Sequence, residues 1–202
     1  MPEDRNSSAP QRTAHEPEGI VHRCAWTNLN NPLYVQYHDS EWGVPNHSDQ
    51  ALFELLILEG FQAGLSWECI LNKREAFREA FDGFDVEAVS AYDEKKISAL
   101  MANAAIVRNR RKIQASITNA QVFRQIQEEF GSFDAYIWQF TDGKTINESH
   151  TIRTTSPLSD EIAKDLKKRG MKFVGSTIIY SFLQAIGVIN GHEEDCDLFL
   201  GN

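Results

Sequence analysis

The sequence has little cysteine, a deficit of positive charge and no long apolar run, and each shortage closes off a class of protein. Only three of its 202 residues are cysteines, Cys24, Cys69 and Cys196, an odd number placed far apart. That argues against a disulfide framework and for a reducing cytoplasm. No segment is apolar for long enough to cross a membrane, and the N-terminus lacks the hydrophobic stretch of a signal peptide, so no membrane partner is expected. Lysine and arginine number 20 against 29 aspartates and glutamates, a net charge of −9. This balance argues against a protein whose main work is holding nucleic acid, although local patches matter more than the sum.

What is present points to helices. Three of the six prolines fall in the polar opening MPEDRNSSAPQRTAHEPEG, which reads as a disordered tail over residues 1–20. Residues 21–202 read as a single all-α domain, and 42% hydrophobic content is enough for a sizeable core. Ser48 or Asp49 caps a helix leading to Glu59. Short helices are expected over REAFREAF, over VEAVSAY after Asp85, over DEKKISALM, and over FDAYIWQF after Ser132. Ile113, Ile117, Ala120, Phe123, Ile126 and Phe130 recur every three or four positions, the mark of a long amphipathic helix. SDEIAKDLKKRG opens on Ser159 as a cap and closes on Gly170, with basic residues in its last turn. STIIYSFLQAIG is nearly apolar all round, as a central buried helix is, and TDGKTINE reads as a short hairpin. No internal repeat or low-complexity tract is visible.

One residue breaks its pattern. In LFELLILEG, Leu52, Leu55, Leu56 and Glu59 follow the i, i+3, i+4, i+7 spacing, so Glu59 is aimed where the leucines are aimed. A buried carboxylate is costly unless paired or hydrogen-bonded. It is either a boundary residue capping nearby backbone or a carboxylate kept at a pocket wall for a ligand. Tyr34, Tyr37 and Trp42 precede its helix and Trp67 follows it. Each alone is ordinary core packing; together with an inward glutamate they resemble a cage for a flat, electron-poor ring.

Two other constellations stand out. His192 and Cys196 lie four positions apart in HEEDC, while Cys24 and His38 stand far upstream with thirteen residues between them. Two thiolates and two imidazoles are what a tetrahedral zinc site takes, although an H-x3-C pair also arises by chance. With four protein ligands such a zinc is structural, one per chain, and ties the two ends of the domain together. His22, His47 and His150 lack that context and read as solvated or turn histidines. Arg108, Arg110, Arg111 and Lys112 cluster at the start of the long helix, and Lys167, Lys168, Arg169 and Lys172 near a second helix junction. They are solvated helix faces or, flanking helix starts, phosphate contacts.

YHDSEWGVP, LFELLILEGFQAGLSW, KKRGMKFVGSTIIYSFLQAIGVINGH and the Cys-His-His-Cys set together resemble the DNA-3-methyladenine glycosylase I family, over roughly Arg23 to Cys196. The resemblance implies a helix-hairpin-helix-type fold closed by a structural zinc on Cys24, His38, His192 and Cys196. It implies an enzyme that acts on alkylated double-stranded DNA, flips 3-methyladenine out and releases it as the free base; a cytoplasmic location is expected from the cysteines, and a monomer is expected. Glu59 then recognises the base and assists catalysis electrostatically, Tyr37 and Trp67 stack on it with Trp42 and Tyr34 nearby, and Gly64 and Leu65 approach the gap left by the flipped nucleotide. Arg108, Arg110, Arg111, Lys112 and Lys168 are the expected phosphate contacts. Ala105, in NAAIVRNRRKI, departs from the family, which more usually carries glycine there in the hairpin. The competing class is a non-catalytic, zinc-stabilised module that binds methylated bases or modified nucleotides. A metallohydrolase using the Cys/His set fits poorly, because that ligand set is full.

Overall fold

The computed structural model describes residues 21–148 and 153–199; the expected tail and His150 lie outside them. Helices dominate. Asn31 caps α1 (Pro32–Ser40) and Ser48 caps α2 (Asp49–Gln62), each side chain accepting from a first-turn amide. Asp49 caps a different helix: its carboxylate accepts from the amides of Phe133 and Asp134 at the start of α8 (Phe133–Trp138). Short helices α3 (Trp67–Leu71), α4 (Arg74–Ala80), α5 (Val86–Ser90) and α6 (Glu94–Ala102) lead to the long α7 (Arg110–Phe130). Gly131, at φ 88°, ends α7 in the left-handed conformation that side chains disfavour.

The last pair is α9 (Pro157–Arg169) and α10 (Ser176–Ala185). Here the expected cap is corrected. Ser156 caps α9, and Ser159 is its reciprocal partner three residues on, closing a capping box. The expected hairpin in TDGKTINE is also corrected. Its strand β1 (Ile146–Asn147) pairs in parallel with the distant β2 (Ile189–Asn190), so the described fold is mostly helical with one short strand pair. Two residues of ladder carry too little alternation to reveal a partner so far along the chain.

Helix α2 runs through the middle, packed against α3, α7, α8 and α10. It is buried nearly all round rather than on one face. Helix α10 is central, packed on α2 and α9, but it is not buried all round: Ile179, Tyr180, Phe182 and Leu183 are buried, while Ser181 and Gln184 open onto a cavity. Ala105 sits in the turn between α6 and α7, its amide donating to Asn103 Oδ1. Its φ is not positive, so glycine is not required there.

Candidate functional site

Two glutamates are buried on α2, and they are treated differently. Glu54 is ion-paired with Arg74 and Arg78 from α4. Glu59, 3% exposed, has no cation beside it, and its Oε2 has no hydrogen-bond partner. Burial alone pushes its carboxyl pKa up to about 8. The unpartnered oxygen belongs to a residue lining a cavity of about 340 Å³, walled by Trp26, Tyr34, Tyr37, Trp42 and Trp67. Tyr37 and Trp67 stand with ring centroids 5.1 Å apart, and the Trp67 indole N–H is likewise buried and unpartnered. A negative Glu59 adds to burial in raising the pKa of Tyr37 and of Tyr34, which places all three within electrostatic reach. The structure thus brings together the aromatic residues and the carboxylate expected from sequence. A cavity with π faces and unfilled polar positions of both kinds is fitted to a flat ring bearing a hydrogen-bond donor and an acceptor.

Several wall residues were not foreseen. Trp26 packs on Trp42 with centroids 4.7 Å apart. Ser181 and Gln184 line the cavity from α10; polar residues three apart on an otherwise apolar helix are the same signal that singled out Glu59. Gly191 also lines it, and a side chain there would collide with Gln184 Nε2 and crowd the Trp42 ring.

Beside this wall lies a second centre. Cys24, His38, His192 and Cys196 are all buried, with ligand atoms within 4.8 Å of one another. His38 Nδ1 lies 2.8 Å from Asp39 Oδ1 and His192 Nδ1 3.3 Å from Asn190 Oδ1. Those contacts hold the Nδ1 protons and leave each Nε2 as the ligand atom. His192 Nε2 is buried without a partner. The donor set and the orphaned nitrogen both fit a metal ion. The seam around the cluster joins the two ends of the described chain: Ala25 N donates to Glu193 Oε2, Glu193 N to Cys24 Sγ, and the backbones of His22 and Asp197 bond at 3.0 Å. Gly43, at φ 77°, lets this seam close, since a Cβ there would stand 2.8 Å from His192 Cε1.

The basic residues separate. Arg108 and Arg111 are exposed, and Arg111 shares a surface depression with Lys172 and Phe173. Arg110 is ion-paired with Glu94. Lys168 is exposed in another depression, beside Glu161, Asp165 and Arg169. The reading of Lys112 as a phosphate contact is corrected: it is buried, and its ammonium donates to the Phe61 and Ala63 carbonyls, both at 2.7 Å. His47 is not simply solvated either, since it lies 2.8 Å from Asp134 and stacks near Trp138.

An unpaired carboxylate among aromatic rings that wall one cavity has the shape and polarity to suit a flat heterocycle. Residues 26–199 match the methyladenine glycosylase family model, and the chain belongs to that family. It is accordingly an enzyme, a glycosylase. DNA-3-methyladenine glycosylase 1 of Escherichia coli (strain K12) is 44% identical over 189 residues, covering 90% of this chain and 99% of that protein. A crystal structure of 3-methyladenine DNA glycosylase I superimposes with TM-score 0.85 at 44% identity, covering 89% of this chain and 100% of that one. A tyrosine-to-phenylalanine variant of such an enzyme, in complex with 3-methyladenine, has TM-score 0.82 at 38% identity, covering 87% and 96%. Among the described residues, no helix is long and apolar enough to span a membrane.

Proposed function

We propose that the protein excises 3-methyladenine from alkylated double-stranded DNA by hydrolysis, as a cytoplasmic monomer in base-excision repair. The observation that carries this reading is the unpartnered Glu59 carboxylate inside the aromatic cavity. Methylation at N3 makes the adenine cationic while it is still attached to the sugar. The flipped base enters the cavity and stacks on the wall that Tyr37 and Trp67 form together, with Trp42 and Tyr34 closing it. Glu59 accepts from its exocyclic amino edge and balances its charge. Neutral adenine gains less from the same cage. The C1′–N bond breaks with its electron pair going to the base, which leaves as neutral 3-methyladenine. Water supplies the oxygen that bonds C1′ and gives up a proton. Glu59 touches the base, so its catalytic contribution is electrostatic and grows as the lesion is held in place.

On the DNA side, Gly170, at φ 109°, and Gly175 bracket the turn from α9 to α10. This turn serves as the helix-hairpin-helix element, a better fit than the turn at Ala105. The start of α10 faces phosphate, with Lys172 in the turn before it, Arg111 across the same depression from Lys172, and Arg108 on the turn before α7. Leu65, 41% exposed after Gly64, fills the gap left by the flipped nucleotide. Cys24, His38, His192 and Cys196 hold one zinc, which supplies structure because its four protein ligands leave no open position.

Chromatography of bases released from methylated duplex DNA tests the assignment. Free 3-methyladenine should appear in proportion to enzyme turnover. Tight binding of the base with no release would instead support a non-catalytic binding module.

A further inference from the structure

Lys112 is the one member of the basic run at the start of α7 that turns inward. Its ammonium reaches the last carbonyls of α2 and the loop that follows, Phe61 O and Ala63 O, which have no helical partner of their own. The same nitrogen lies 6.0 Å from the centroid of Phe173, in the turn between α9 and α10. Asn119, two turns along α7 on the same side, grips that turn from the other direction: its amide donates to Lys172 O and its oxygen accepts from Lys172 N. At Gly60 the gap between α2 and the turn is narrow, for a Cβ there would lie 3.6 Å from Phe173 Cβ. Lys112, Ser116 and Asn119 follow the i, i+4, i+7 spacing and are all buried. A polar stripe on α7 therefore faces two loops that are far apart in sequence.

We propose that Lys112 is a positioning residue that locks the Ala63–Leu65 loop against the Lys172–Phe173 turn, setting the two in one fixed relation for duplex DNA. The proposal rests on the functional reading above, in which both loops meet DNA. Lys112 acts on the loops and not on the base. Burial, and not this lysine, is what raises the pKa of Glu59, two residues before Phe61.

The test uses Lys112→Met in the full-length, metal-loaded protein. This variant keeps the aliphatic stem and removes the donor. Excision from methylated duplex should fall by about tenfold or more, as displaced positioning groups do, while affinity for free 3-methyladenine stays within about twofold. The salt dependence of duplex binding should keep its slope, whereas Arg111→Ala should flatten it by about one phosphate's worth. Amide exchange should quicken in residues 63–66 and 171–175 together, a readout independent of activity. Lys112→Gln, whose amide can still donate to one carbonyl, should recover part of the loss, and it carries the comparison if the methionine variant is unstable. Unchanged excision and exchange would overturn the proposal, as would a flattened salt slope, a parallel loss of free-base binding, or unfolding of both variants. If the parent protein releases no base, the functional reading fails, and the exchange experiment still judges Lys112.

Discussion

Glu59→Gln should be the more stable protein at pH 8 and the poorer enzyme. Burial holds the Glu59 carboxyl near pKa 8, against about 4.5 for an unburied glutamate. A carboxyl whose folded pKa is raised favours the fold while protonated. That contribution is whole below pH 4.5 and is lost as pH rises through about 8. Each pKa unit is worth about 1.4 kcal/mol, so the loss amounts to a few kcal/mol by pH 8. Glutamine does not titrate, so the variant's melting temperature should exceed the parent's by a margin that is small at pH 5 and widens toward pH 8. Activity should move oppositely. Losing a charged hydrogen-bond partner costs about 1.5–3 kcal/mol, or roughly ten- to a hundredfold in affinity or rate.

The pH profile separates the roles further. If the ionised carboxylate meets the cationic base, kcat/KM of the parent should climb from pH 6, reach half its maximum near pH 8 and level off above about pH 9, because that ratio reports the free enzyme. The glutamine variant should show no such rise. A parent profile that falls as pH rises through 8 would show that the neutral acid is the working form, and a flat one from pH 6 to 9 that Glu59 ionisation does not govern the step. A melting difference that does not change with pH would show that Glu59 does not titrate as its burial implies.

Cys196→Ser should lower metal content, stability and base binding together. The unaltered protein should carry about one zinc per chain. Losing a ligand from a buried structural site belongs with the largest single-residue effects, on the order of 4 kcal/mol, or about 8–16 °C in Tm for a chain of this size. Trp42 packs on His192 with centroids 4.7 Å apart, and Trp26 lies 5.2 Å from His38. Both tryptophans wall the cavity, so loosening the cluster should weaken binding of free 3-methyladenine while far-UV helicity persists. Full zinc retention with unchanged melting would sink the assignment. A folded, base-binding protein that merely lost turnover on metal removal would return a catalytic metal to consideration.

How far this could be read beforehand differs from residue to residue. Glu59 was legible because a charge inside an apolar repeat is conspicuous, even though α2 proved buried on every side. The four candidate ligands were legible by chemical type and by resemblance, not by spacing, since only the folded chain brings residue 24 to residue 196. Lys112 was misread because its neighbours in sequence are exposed arginines. The clue to its burial lay with Ser116 and Asn119, in a polar stripe that hydropathy patterns pass over. Strand β1 was misassigned because its partner lies beyond any local window.

The seam that joins His22 and Ala25 to Glu193 and Asp197 also dictates an order of assembly. Its hydrogen bonds close loops of up to 175 residues, and the entropy of closure for such a loop is about 5 kcal/mol before any contact returns it. Helix pairs near each other in the chain, α5 with α7, α7 with α8 and α9 with α10, can condense without it. The cavity wall contributed by Trp26 and Glu193 is then the last part of the molecule to arrive. In refolding, the tryptophan signal of the cavity should lag the helical signal; simultaneous recovery would place the seam in the folding nucleus. A newly made chain on this route passes through a state already helical but unable to hold a base.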